Sequence, residues 1–122
     1  MPLLKTSSDR SILTVHFVES RILEALTIQK MQDELFAILG KTEEPNVLLD
    51  FRAVNFLSSA ALGMLVRAHK KCKEYKANLI LCNLAPSIRE VFAITNLDKV
   101  LTICADSEEA ERAFNQKGRS FR

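Results

Sequence analysis

The sequence contains no tryptophan, a single tyrosine, and only three each of glycine, proline and cysteine in 122 residues. So little glycine and proline excludes a collagen-like or linker-like chain. One tyrosine and seven phenylalanines offer few platforms for stacking unpaired bases, which argues against a single-stranded nucleic acid partner. An excess of one charge is missing too. Seventeen basic and 15 acidic residues leave a formal net charge of +2, too small to point to a phosphate backbone or a membrane surface. Three of the basic residues, Lys117, Arg119 and Arg122, fall in the terminal stretch QKGRSFR, and without them the body carries 14 basic against 15 acidic groups. Cys72, Cys82 and Cys104 form no CxxC pair and are odd in number, so neither a zinc site nor a closed disulfide framework is expected. No apolar run approaches the length of a membrane span, and MPLLKTSSDR carries no signal-peptide pattern. A reduced, cytoplasmic protein without direct membrane insertion is the expectation. A Gly-rich phosphate loop, GxSxG and HExxH are also lacking. We therefore expect no catalysis, no metal and no cofactor.

What is present is ordinary globular material. The chain is 48% hydrophobic and 26% charged, and at this length one domain can bury roughly two-thirds of its unfolded surface. Ile12 to Val18 alternates and is β-branched, as in a strand, with Leu3 to Thr6 a weaker strand beside it. Between Leu26 and Leu39, the apolar Ile28, Met31, Leu35, Ile38 and Leu39 recur at helical spacing, and Gly40 is expected to end that helix. Val47 to Phe51 reads as a strand covered on both faces. Ser58 to Tyr75 reads as a helix with Ala61, Leu65, Ala68 and Cys72 on its buried stripe. Ala77 to Asn83 gives another buried strand. Ser87 and Glu90 make a capping-box pattern opening a short helix with Ile88, Val91 and Phe92 inward. Leu101 to Ala105 supplies a last strand, and Asp106 with Glu109 opens a closing helix to about Asn115. Alternating strands and helices predict the α/β class: one domain over residues 1–115, a mixed sheet of four to five strands with packed helices, and a basic tail over 116–122.

The chemistry concentrates around one loop and the helix after it. Ser58 and Ser59 lie between the apolar pair Phe56-Leu57 and a helical run, where a hydroxyl can accept from an orphaned backbone N–H; such a cap contributes about 1 kcal/mol. The same position favours a phosphate, through exposed N–H groups and the helix dipole. Projected at 100° per residue, Ala60, Gly63, Met64 and Arg67 group away from the apolar stripe. Glycine inside a helix costs about 1 kcal/mol relative to alanine. We therefore expect this face, with Asn55 in the preceding loop, to dock a partner, methionine and arginine being adaptable contact residues. Asp50 ends a buried strand beside the loop and is expected to orient it by accepting backbone N–H groups of residues 52 to 59. His69 and Cys72 share a spacing of three but lack further ligands, and a boundary histidine beside a core cysteine accounts for them.

The stretch VLLDFRAVNFLSSAALGMLVRAHKKCKEYKANLILCNLAPSIREVFAITNLDKVLTI resembles the STAS domain of bacterial anti-sigma factor antagonists. The matching pieces are Asp50 at a strand end, Ser58-Ser59-Ala60-Ala61-Leu62-Gly63 opening a helix, Asn83, and Ile88-Arg89-Glu90-Val91-Phe92 leading to Leu97-Asp98. The resemblance implies a non-catalytic module that docks a serine-kinase anti-sigma factor and is released by phosphorylation of Ser59 or, second, Ser58. The chain departs from the pattern at three positions. Ser58 stands where the family has an acid, Ala60 where it has a second hydroxyl, and Ala61 where it has glycine. A second reading follows from these departures: an unphosphorylated STAS scaffold subunit in a signalling or lipid-transport assembly, bound to some other signalling protein.

Overall fold

The computed structural model describes residues 3–120, with side chains placed through Asn115. Successive residues of a strand point to opposite faces of its sheet, so the continuous apolar run at Val47 to Phe51 needs cover on both sides. Its strand β4 (Asn46–Asp50) is central in a sheet whose other members are β1 (Leu4–Asp9), β2 (Ile12–Phe17), β6 (Asn78–Cys82) and β7 (Thr102–Cys104). The order is β1-β2-β4-β6-β7. Only β1 and β2 run antiparallel; the remaining pairs are parallel. Val47, Leu49 and Phe51 join the core under α1 (Ala25–Lys41), α2 (Ser59–Glu74) and α3 (Pro86–Ile94). Leu48 points the other way, to a smaller core with Ile12, Ile80, and Ala110 and Phe114 of α4 (Ser107–Ser120). The expected α/β mixed sheet is thus present with five strands.

Several local expectations change. β1 continues to Asp9 and closes a two-residue hairpin through Arg10 and Ser11, both at positive φ, as a tight antiparallel turn demands. Gly40 does not end α1; Thr42 does, in extended backbone, its N–H still donating to the Ile38 carbonyl. The Ser87–Glu90 box does not form, because Pro86 occupies the first helical position with Ala85 as N-cap. Proline is preorganised for that place, so Ser87 is already inside α3. Asp106 does cap α4 at the Glu109 N–H, and Glu109 reaches back to the Ala105 N–H. α4 runs beyond Asn115 to Ser120. The side chains expected in the basic tail, Lys117, Arg119 and Arg122, lie outside the described residues.

Cys72, Cys82 and Cys104 are buried. Burial pushes the Cys72 thiol up to about 11 and the Cys82 thiol up to about 12, where the Asp50 carboxylate adds to the effect. A thiol that ionises later when folded than when unfolded stabilises the fold fully below its ordinary value of 9.0. That contribution is lost as the pH climbs from there towards the folded values. We expect denaturation midpoints to fall above that threshold, and to fall less steeply in Cys82→Ala; equal slopes for the two proteins would contradict this.

Candidate protein-docking site

The carboxyl ends of β2, β4 and β6 bring three polar side chains together, since register sets His16 beside Asp50 and Asp50 beside Cys82, the residue before Asn83. Asp50 is 7% exposed and is the buried charged residue among those described. Its Oδ1 accepts from the Arg52 N–H at 2.9 Å and from Asn83 Nδ2 at 3.0 Å. Its Oδ2 lies 3.3 Å from His16 Nδ1. Asn83 sits at φ 59°, a left-handed conformation asparagine tolerates better than most residues, and this turns its amide back onto the carboxylate. Of the backbone N–H groups of residues 52 to 59 expected to meet Asp50, that of Arg52 does, while the sequence did not indicate the contacts of Asp50 with His16 and Asn83.

The rest of the loop is tied to a segment the sequence reading left unassigned. Two-residue strands β3 (Arg21–Ile22) and β5 (Phe56–Leu57) pair in parallel. Around them the Asn55 and Phe56 N–H groups donate to the Ser20 carbonyl at 2.7 and 3.2 Å, and the Ser58 N–H to Ile22 at 3.0 Å. The Arg21 guanidinium lies over the Phe56 ring, 4.7 Å from its centre. Backbone bonds between distant segments leave no periodic trace in sequence, which is why this pair was missed.

The two serines separate in role. Ser58 is the N-cap of α2: its Oγ accepts from the Ala61 N–H at 3.2 Å, and its carbonyl accepts from Leu62. Ser59 is the first residue of α2 and is exposed, as are Ala60 and Asn55.

The α2 residues expected to face a partner do not share one environment. Met64 is fully buried, in one core with Met31 and Leu35 of α1. The expectation that it contacts a partner is corrected for a geometric reason: α2 packs against both the sheet and α1, so its covered arc is wider than a single stripe. Arg67 is exposed but its Nε donates to Gln32 Oε1 on α1 at 2.6 Å. Gly63 is half-buried, and a Cβ there would meet Arg67 Nη1 at 3.3 Å. The glycine thus makes room for the arginine that laces α2 to α1. Since that neighbour is a flexible side-chain end, Gly63→Ala should gain about 1 kcal/mol in helix propensity and lose about 0.5 kcal/mol of surface hydrogen bond. A small rise in melting temperature is the expected result; a fall would mean that Arg67 cannot move.

Opposite the first turn of α2 runs a groove of about 150 Å³. Asn55, Phe56, Leu57 and Leu62 form one wall, and Ser87, Ile88 and Val91 of α3 the other. Val91, expected inward, is 40% exposed, and Phe56 is 51% exposed. Ile88 and Phe92 already fill the buried side of α3, which turns Val91 to the groove. Among the described residues no group of three His, Cys, Asp or Glu side chains could hold a metal, and no helix is long and apolar enough to cross a membrane.

Comparison with known proteins agrees with this architecture. The family model described as STAS domain matches residues 5–110. BtrV of Bordetella bronchiseptica, named as an anti-sigma factor antagonist, is 29% identical over 93 residues, which cover 76% of this chain and 79% of that protein. The structure of an anti-sigma-factor antagonist (STAS) domain protein from Planctomyces limnophilus superposes with a TM-score of 0.77 at 25% identity, covering 90% of this chain and 95% of that one. The Bacillus cell fate determinant SpoIIAA in its phosphorylated form shares the fold, with a TM-score of 0.65 at 14% identity, covering 90% and 98% of the two chains.

Proposed function

The chain belongs to the STAS domain family, and from that premise we propose that it is a non-catalytic, protein-binding regulator of the anti-sigma factor antagonist kind. It docks a serine-kinase anti-sigma factor through Asn55 to Ala60 and the groove beside them, and phosphorylation of Ser59 releases it. The observation that carries this reading is the unequal standing of the two serines. The Ser58 hydroxyl is engaged in capping, whereas Ser59 is exposed at the first position of a helix. A phosphate on Ser59 meets the positive end of the α2 dipole, so the domain stays folded, while nearly two added charges oppose a partner that must bury the same loop. BtrV and the phosphorylated SpoIIAA support the reading by analogy.

Incubation with the cognate kinase and ATP should add one phosphate by mass, and Ser59→Ala should abolish it at unchanged stability. Ser58→Ala should still be phosphorylated while losing about 1 kcal/mol of stability with its cap. Phosphate on Ser58, or none at all, would defeat the switch. A second reading, an unphosphorylated scaffold subunit, draws on Ala60, which puts a methyl group where the family pattern has a second hydroxyl. Co-purification with a non-kinase partner, and no phosphate after incubation, would favour it.

A further inference from the structure

We infer that the groove between α2 and α3 receives one apolar side chain of a partner polypeptide, and that this side chain has a carboxylate close beside it. The inference rests on the reading of this end of the domain as a docking face and specifies what the partner must present. Size sets the first half. About 150 Å³ is the volume of a cavity that holds a benzene-sized molecule, so one ring or one branched aliphatic group fits. Leu57, Leu62, Ile88 and the exposed Val91 and Phe56 supply its apolar walls.

Charge sets the second half. The Arg21 guanidinium lies on the Phe56 wall. Two helices begin at the groove, and neither carries an acidic residue in its first turn. The first turn of α3 has no side-chain cap, and Ser87, its second residue, is exposed at the groove, so its N–H is placed to meet an acceptor from outside. The nearest acid on α3, Glu90, projects roughly 100° away from the Ser87, Ile88 and Val91 face at 100° per residue. Glu19 and Glu24 border Arg21 in a separate neighbouring pocket, whereas the lining of the groove itself carries no acid. An acid-free apolar slot with helix N-termini and a guanidinium at its rim is complementary to an acid next to a hydrophobic anchor. The same rim would also be neutralised by a phosphate on Ser59, which gives that modification a direct competitor to displace.

The test uses the intact protein and a phage-displayed random peptide library, selected on wild type and counter-selected on Val91→Glu, with circular dichroism confirming that the variant folds. The expected consensus has leucine, isoleucine or phenylalanine with aspartate or glutamate within four positions. A synthetic consensus peptide should bind wild type at least tenfold tighter than Val91→Glu or Phe56→Ala. Replacing its acid by glutamine should weaken binding about fivefold on wild type and only about twofold on Arg21→Gln, where the helix N-termini alone remain to meet the acid. Recovery of no peptide that discriminates wild type from Val91→Glu, a basic consensus, or an acid that contributes nothing would overturn the inference. So would a concentration-dependent dimer in light scattering that Val91→Glu abolishes, since the groove would then belong to a second copy. Absence of Ser59 phosphorylation would leave these binding results untouched, so the two readings fail separately.

Discussion

Asp50→Ala is expected to lower the free energy of unfolding by about 3 kcal/mol and to loosen the docking loop at the same time. Removing the carboxylate strands the Arg52 N–H and the Asn83 amide, both part-buried, without an acceptor. A buried donor left unpaired costs about 1–3 kcal/mol, and hydrogen bonds to a charged group lie at the strong end. The His16 contact adds little, because that imidazole is about half exposed and solvent screens it. Asp50→Asn should cost only about 1 kcal/mol, since its remaining oxygen can still accept both bonds. Urea denaturation of the three proteins gives the order, and amide exchange should accelerate at Arg52 and Val54 in the alanine variant. Equal stability of wild type and Asp50→Ala would show that the carboxylate does not hold the loop.

Met64→Ala should cost about 3 kcal/mol, the usual range for emptying a fully buried methionine site, with partner affinity unchanged in whatever fraction remains folded. The side chain is 0% exposed between the sheet and α1. Ala60→Arg should behave in the opposite way: near-normal stability, because Ala60 is exposed on the first turn of α2, and partner binding reduced a hundredfold or more by a long side chain standing in the face proposed to dock. Thermal melts and calorimetric titration of both variants separate core from contact surface. A stable Met64→Ala that no longer binds would return Met64 to the interface.

These variants mark where sequence reading succeeds. The stripe Ala61, Leu65, Ala68 and Cys72 is buried as its spacing requires, and Asp50 accepts from the loop as a strand-end acid should. The cap of α2 was also legible as a site for one of two serines, though not which. Only the helix start could decide that: beginning at Ser59, the helix places the Ser58 hydroxyl on the Ala61 N–H and leaves the next hydroxyl free.

The sequence alone determined the class of fold and the number and kind of most elements, because periodicity and capping are local properties of consecutive residues. Tertiary structure decided which side chains of α2 are spent on packing, that Gly63 serves Arg67, and that Val91 faces outward beside Phe56 to make a groove. Each of these depends on which second element lies alongside. A helix touching one layer buries one stripe, a helix wedged between a sheet and another helix buries more, and no spacing rule within a single element records its neighbour.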